Sequence, residues 1–498
     1  MDGIAGIYNS NDSELVHKIF LATGMCQHRG KVGAGIAIGN GKGIYIHKGL
    51  GRIGDIVDPR IIQTFQDLEP VAAIGNVGYT KNKYPAKINT EPIEIHPKRD
   101  SKYHVVLTLD GYLVKEDDLR LELETDYYFE TSNKTEIIGA LLHKYILQEG
   151  ITFTAGKKLV DRLHGRATFA LTALVYDGKE TYMITLNDDR AFEPFCYGIV
   201  DGGFVVSSES VSHRRLGGHI EKEFDGAEMS IYSSNGFEFK RLREEKLMPD
   251  VFQAIYFGHV GSLFRGKEIF QLRKELGLKL VDLYGDKESE VDIVIPNPES
   301  GWGVTMGIFE GLRKFNPKLI TVYPALVKQA QSIRTFQEGE RRKRSLEVGL
   351  KFGGIDSLLR GKNVVMGDDS IVRGSVSEGG SVWVVYNAGA KHLEFWVSYG
   401  PMIFPSFKEW HRGRECLDEL AVQRAFGGNC YGRSLEEINE AVAKLIGVDR
   451  VRYNKKKSIE DVVGSGSFQA LDASYPIDEK FWPDWLKKEV DKFSKARI

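Results

Sequence analysis

One run does most to restrict the fold: Gly361-Lys362-Asn363-Val364-Val365-Met366-Gly367-Asp368-Asp369-Ser370-Ile371-Val372-Arg373-Gly374-Ser375. Its apolar stretch has the length of a buried strand, and it ends in two adjacent carboxylates and a loop of small residues. Strands buried on both faces belong to parallel sheets covered by helices, and such sheets bind ligands outside the carboxyl ends of their strands. Residues 291–295, 319–322 and 393–396 share this texture. The second half of the chain therefore reads as an α/β domain with a mainly parallel, doubly wound sheet.

The first 235 residues read differently. Short β-runs at 34–38, 43–46, 104–109, 167–174, 182–186 and 204–207 alternate with turns, and helical periodicity appears at 13–21 and 135–147. That alternation favours a layered α/β sandwich. Ser233-Ser234-Asn235-Gly236 opens a turn-rich stretch, which puts the boundary at 236–252. The expected organisation is a domain over 1–240, a second over 250–476, and a helical tail over 477–498. In the tail, Trp485, Leu486, Glu489, Val490 and Phe493 follow Pro483 at amphipathic spacing. Docking on the core is the ordinary role of such a helix; binding a partner is the alternative.

Composition removes several function classes. In 498 residues, 67 Lys and Arg balance 69 Asp and Glu, which gives no global electrostatic reason to expect nucleic acid. No basic and apolar leader opens the chain, and no stretch approaches the ~20 apolar residues of a membrane helix, so the default compartment is the cytoplasm. Cys26, Cys196, Cys416 and Cys430 show no metal-ligand spacing and read as reduced structural thiols.

The chemistry of the opening run is specific. Asp368 and Asp369 offer hard oxygens that can accept from a ribose diol and help position Mg²⁺. Val372, Arg373, Gly374, Ser375 and the following helix N-terminus suit a terminal phosphate. A lone acid pair at a strand end is most often a solvated loop. The full run points to phosphoribosyl diphosphate, with another phosphate loop as the alternative.

Further segments carry a resemblance. Gly3-Ile4-Ala5-Gly6-Ile7, Gln27-His28-Arg29-Gly30, Ala34-Gly35-Ile36 and Ser207-Ser208-Glu209-Ser210 are similar to class-II glutamine amidotransferases. Ile295-Pro296-Asn297-Pro298-Glu299-Ser300-Gly301, the run from Asp368 to Ser375 and Ala388-Gly389-Ala390-Lys391 extend the likeness. Most of the chain resembles the amidophosphoribosyltransferases. The resemblance implies an N-terminal-nucleophile αββα glutaminase-like domain joined to a type I phosphoribosyltransferase domain, a homo-oligomer, and a role in purine metabolism. Glu299, Ser300 and Gly301 would face the pyrophosphate, and Asp368 to Ser375 the ribose, metal and 5′-phosphate.

The chain departs from that pattern at four glutaminase positions. Asp2 stands where the nucleophilic cysteine belongs; a carboxylate attacks amides poorly, and its bulk disfavours removal of Met1. Asn76-Val77-Gly78-Tyr79 lacks the arginine that clamps the substrate carboxylate. Asp110-Gly111 replaces an Asn-Gly oxyanion pair, setting a carboxylate where a donor is needed. Lys134, before Thr135-Glu136, replaces an acid. Together these predict no glutamine hydrolysis.

The transferase half is eroded less. On the family's catalytic loop Lys328 and Arg334 persist, with Gln329, Ala330 and Gln331 in place of the intervening residues; two solvated surface charges are the alternative reading. The charged run 338–344 reads more readily as a solvated loop than as a phosphate clamp. His259 stands for an arginine, and Val376 for a threonine. Ser465 and Ser467 replace cysteines that hold an iron–sulfur cluster in some members, so no cluster is expected. Two readings follow: a transferase using free ammonia, a partner's ammonia or another nucleophile, or a non-catalytic sensor or regulatory paralogue that assembles with an active amidotransferase.

Overall fold

The computed structural model describes residues 2–9, 11–79, 86–285, 290–321, 325–328, 352–374 and 380–496. The chain divides into two compact units. The first comprises Met1–Asp250 with Gly261–Gly266 and Pro476–Phe481; the second comprises Val251–Val260, Lys267–Tyr475 and Trp482–Ile498.

The first unit is a four-layer sandwich. Its elements are β1 (Gly3–Tyr8), α1 (Leu15–Met25), β2 (Gly33–Asn40), β3 (Gly43–Leu50), β4 (Ala72–Gly78), β5 (Ile93–Glu94), β6 (His104–Leu113), α2 (Lys134–Glu149), α3 (Phe153–Leu163), β7 (Ala167–Tyr176), β8 (Thr181–Asn187), β9 (Cys196–Val200), β10 (Gly203–Ser207), β11 (His219–Glu223), β12 (Glu228–Ser233) and β13 (Gly236–Arg241), besides shorter helices and strands. One antiparallel sheet runs β11-β9-β10-β1-β4-β2-β3 and the other β13-β12-β8-β7-β6-β5. Ile74, Val106, Leu174, Met183 and Tyr232 fill the space between the sheets. Leu15, Val16 and Ile19 of α1 cover the outer face of the first sheet, and Ile138, Leu142, Leu159 and Val160 of α2 and α3 cover that of the second.

This layering explains why β1 is buried along its whole length: a central strand between two covered faces has no solvent side. The first helix starts later than its periodicity suggests, at Leu15, because Asp12 makes a turn first, its carboxylate accepting from the Glu14 amide at 2.9 Å. Helix α2 begins as expected, with Asn133 Oδ1 accepting from the Thr135 amide at 3.1 Å. The short segment Pro476–Phe481 is tied down by the Asp478 amide donating to the Gly165 carbonyl and by Arg190 on the Asp478 carboxylate.

The second unit is built on a five-stranded sheet. Its principal elements are α4 (Ile269–Tyr284), β14 (Ile293–Pro296), α5 (Trp302–Leu312), β15 (Ile320–Thr321), β16 (Leu326–Lys328), β17 (Phe352–Gly354), β18 (Asn363–Asp368), α6 (Ser381–Asn387), β19 (His392–Val397), α7 (Ala421–Ala425), α8 (Leu435–Ile446), β20 (Arg450–Tyr453) and α9 (Asp484–Ala496). The order is β15-β14-β18-β19-β20, and every pairing is parallel. Strands β16 and β17 form a separate two-stranded ribbon.

Helix α9 docks within this unit. Phe493 meets Phe404 and Tyr431 edge-on, and the buried Glu489 carboxylate accepts from Arg414, Lys492 and Tyr431 at 2.7, 2.9 and 3.1 Å. Among the described residues, no helix is long and apolar enough to cross a membrane.

Candidate functional site

In the first unit, β1 pairs with β4 in one sheet, and Asp110 on β6 of the facing sheet reaches the residue that precedes β1. The Asp2 amide donates to Asp110 Oδ1 at 3.0 Å, and the Tyr79 amide donates to Asp2 Oδ1 at 3.0 Å. Arg29 completes the joint. Its guanidinium donates to the Asp2 carbonyl at 3.0 Å, to Asp110 Oδ2 at 2.9 Å and to Glu209 Oε1 at 2.9 Å, all but excluded from water. Asp110 is therefore not a bare carboxylate in an oxyanion pocket, as its sequence position suggested, but half of a buried ion pair.

The charges of this joint lock one another. Burial works against the Arg29 charge, but Asp110 and Glu209 outweigh it and hold the guanidinium above its ordinary value. Glu209, buried too, is brought down to about 2 by the His28 hydrogen bond and the Arg29 charge.

The other two altered positions are close by. A Cβ on Gly78 would lie 3.0 Å from Asp2 Oδ1 and 3.2 Å from Asn76 Oδ1, so this position, where the sequence led us to expect a lost arginine, borders polar oxygens. Gly111 lies on β6 where a Cβ would meet the Thr168 carbonyl at 2.2 Å, which only glycine tolerates. Lys134, the first residue of α2, is buried with its ammonium 5.8 Å from the Tyr112 ring centroid. A cation at a helix N-terminus opposes the macrodipole. The Lys134 charge acts against the upward push that burial and Asp2 exert on the nearby buried Glu91.

Glu91 went unremarked in the sequence, where only its place in Asn89-Thr90-Glu91-Pro92 might have flagged it. Its carboxylate accepts from Asn76 Nδ2 (3.1 Å), the Leu109 amide (2.7 Å), Asn133 Nδ2 (3.2 Å) and Thr135 Oγ1. Burial and the Asp2 charge nevertheless push it up to about 8. Beside Asp2 and Glu91 lies a half-open cavity of about 20 Å³, also bordered by Asn76, Gly78, Tyr79 and Asn133. No thiol supplies a nucleophile there. Cys26, the cysteine beneath Gly3, is buried against Ser207 and pushed up to about 11 by that burial.

In the second unit, the parallel register Pro296↔Gly367 sets two loops side by side at the carboxyl ends of β14 and β18. Asn297 Nδ2 donates to Asp368 Oδ2 at 2.6 Å, and Ser300 Oγ lies 3.5 Å from Asp368 Oδ1. Gly301 sits against the Gly367 carbonyl, where a Cβ would come within 2.2 Å. Both acids are buried. Burial and the neighbouring Asp369 raise the Asp368 carboxyl well above its usual range, while Ser370 Oγ donates to Asp369 at 2.6 Å.

Downstream, Arg373 is exposed and pairs with Glu409 and Glu419 at 3.1 and 2.9 Å. The Val372 carbonyl accepts from the Ala421 amide, and Gly374 takes φ +70. Glu299 is exposed, and Lys328 is the last residue of β16. Arg334, Ser375, Val376, residues 329–331 and the run 338–344 lie outside the described residues. Among the described residues, His164, Asp189 and Glu245 are the group close enough to share a metal, but Arg243 Nε already lies 3.1 Å from Asp189.

No known family profile matches the chain. Full-length comparison is more informative. The chain is 27% identical over 500 residues to the amidophosphoribosyltransferase of Methanocaldococcus jannaschii, covering 97% of this chain and 98% of that protein. It is 30% identical over 461 residues to the amidophosphoribosyltransferase of Archaeoglobus fulgidus, covering 90% and 95%. The chain belongs to the amidophosphoribosyltransferase family. The fold agrees: the solved glutamine phosphoribosylpyrophosphate amidotransferase of B. subtilis, complexed with ADP and GMP, superposes with a TM-score of 0.77 at 23% identity, covering 97% of this chain and 98% of that one. The N-terminal-nucleophile sandwich and the type I phosphoribosyltransferase sheet are thus those of the family.

Within the family frame, two residues emerge that motif comparison alone left without a role. Arg29, quoted only as part of a motif, is the hub that joins Asp2, Asp110 and Glu209. Asn297 holds the acid loop to the pyrophosphate-type loop. Ser467 Oγ donates to the Ser474 carbonyl at 2.6 Å.

Proposed function

We propose that this chain binds Mg²⁺ and phosphoribosyl diphosphate in its second unit and transfers the phosphoribosyl group to ammonia or another nucleophile, without hydrolysing glutamine. The observation that carries the reading is the close approach of the 297–301 loop to the acid pair at adjacent strand ends. Asp368 and Asp369 would take the ribose diol, Glu299 to Gly301 the pyrophosphate, and Ser370 with Val372 to Ser375 the 5′-phosphate. Lys328 and Arg334 would neutralise the leaving group. Displacement at the anomeric carbon asks the protein mainly for positioning and charge stabilisation, so transfer can outlast loss of the glutaminase.

The donor set suits magnesium. Two adjacent carboxylates are hard oxygens, and Mg²⁺ commonly takes one or two of these with waters and substrate phosphates. When bound, the ion would offset diphosphate charge. Asp369 is the stronger candidate ligand, since Asp368 is engaged by Asn297 and Ser300.

The absence of glutamine hydrolysis is supported by Asp2, Gly78, Asp110 and Lys134 together, and most directly by Asp110 being spent on Arg29. A second reading, a non-catalytic sensor of phosphoribosyl diphosphate or nucleotides or a regulatory partner of an active amidotransferase, is favoured by one observation. Arg373 is committed to two carboxylates and Asp368 is turned inward, so ligand binding must compete with contacts already made. Pyrophosphate release with ammonium chloride as nitrogen donor separates the two. No turnover with calorimetric binding intact excludes the transferase; no binding excludes both.

A further inference from the structure

The segment Pro296-Asn297-Pro298 sets one polar side chain between two prolines at the end of β14. A proline after Asn297 disfavours helical backbone there and holds the residue in line with the strand. The Asn297 backbone is fully used: its amide donates to the Gly367 carbonyl at 2.9 Å, and its carbonyl accepts from the Gly301 amide at 3.0 Å. The 297–301 loop is thus tied to β18 and closed on itself without any help from the asparagine side chain.

That side chain does something narrower. It is buried, and its one hydrogen bond among the described residues runs from Nδ2 to Asp368 Oδ2 at 2.6 Å. Oδ1 is buried too and meets no donor among the described residues. An unmatched buried carbonyl is a cost, so the amide sits where it suits Asp368 and not where both of its own ends are met. On the other side of the carboxyl, Asp368 Oδ1 accepts from the Asp369 amide at 2.9 Å, with Ser300 Oγ at 3.5 Å. A donor on each oxygen fixes the carboxyl plane; with Oδ1 alone held, the plane could swing about that contact. Each oxygen has two acceptor sites, and the unprotonated oxygen of a neutral carboxyl accepts as a carboxylate oxygen does. The clamp therefore leaves acceptor capacity for a ligand hydroxyl and does not depend on the charge of the acid pair.

We infer that Asn297 is a positioning residue of the transferase site: it fixes the plane of the Asp368 carboxyl, so that this acid meets the ribose diol of phosphoribosyl diphosphate in one orientation. The inference rests on the phosphoribosyl diphosphate reading and adds to it a residue that acts through Asp368. Loss of the clamp costs affinity for a ligand that carries the ribose, because orientation of the binding group is what the clamp supplies. A ligand without ribose is spared.

Calorimetry on the full-length protein with Mg²⁺ tests this, using Asn297→Leu, Asp368→Asn and the two together. Asn297→Leu should weaken phosphoribosyl diphosphate binding by about tenfold, the scale of one well-placed hydrogen bond, and should weaken it no further once Asp368→Asn is present. Inorganic pyrophosphate should bind the unmodified chain and Asn297→Leu alike. An equal loss in the Asp368→Asn background, unchanged or tighter binding of phosphoribosyl diphosphate, or a matching loss for pyrophosphate would overturn the inference. If Asn297→Leu does not fold, Asn297→Ala carries the same expectations; failure of both to fold assigns Asn297 to stability and overturns the inference as well. No phosphoribosyl diphosphate binding by the unmodified chain ends the reading and the inference together, whereas binding that Asn297→Leu leaves intact ends the inference alone.

Discussion

The amide of Asp2 donates to the carboxylate of Asp110 at 3.0 Å, so two of the four departures from the glutaminase pattern are a single joint. Each residue explains the other. With its second oxygen on Arg29, Asp110 anchors the start of β1 through a buried charge network.

Restoring cysteine at position 2 alone should therefore release no glutamate from glutamine. Gly78 still lacks a clamp for the substrate carboxylate, and Asp110 remains tied to Arg29. Glutamate release from Asp2→Cys above that of the unmodified chain would contradict this.

Removing the hub should be expensive. Arg29→Met leaves Asp110 and Glu209 buried without their guanidinium, and breaking such a network by deleting one partner costs about 3–5 kcal/mol. The urea midpoint should fall accordingly; an unchanged midpoint would show that the pair adds nothing to stability.

A buried histidine gives the first unit an acid-side weakness. His143 bonds to Ser101 and to Tyr127, each at 2.8 Å, and burial lowers its pKa from 6.5 to about 4. Between those values the unfolded chain binds the extra proton and the folded chain does not. Stability from this group is therefore full above about 6.5 and falls as pH drops through about 4, by on the order of 3 kcal/mol. His143→Gln should flatten that part of the stability profile, measured by urea titrations from pH 7 to pH 4.

In the second unit, Gly301→Ala forces a methyl to within 2.2 Å of the Gly367 carbonyl unless the two loops separate. Overpacking of this kind costs about 1–3 kcal/mol. Calorimetry should show phosphoribosyl diphosphate binding weakened at least about tenfold if that separation reaches the ligand, one decade being about 1.4 kcal/mol. Wild-type affinity in G301A would remove these loops from the site.

Much of the architecture was readable in the chain because buried strands announce themselves. Residues 363–366 and 393–396 lie within strands of the parallel sheet, and 104–109 and 167–174 within paired strands of the sandwich. Ile371 and Leu486 are buried as their apolar character suggests. What could not be read was which charges meet. Arg29 and Asp110 are 81 residues apart, Asp2 and Asp110 are 108, and only the stacking of two sheets, one carrying β1 and the other β6, brings them together. Glu91 was invisible for a similar reason, since a single acid before a proline carries no periodic signal. The meaning of Asp110 changed most. Read locally it was a misplaced anion; in the fold it is a counterion.

The parallel sheet has one more consequence. From β14 the chain steps outward to β15, then returns to the opposite side for β18, β19 and β20. The direction of winding reverses at β14, and where it reverses the connecting loops must part on either side of the strand end. The crevice between 297–301 and 368–374 is thus enforced by chain wiring and does not depend on any one side chain. Drift at individual positions can change what the crevice holds, but closing it would require a different topology.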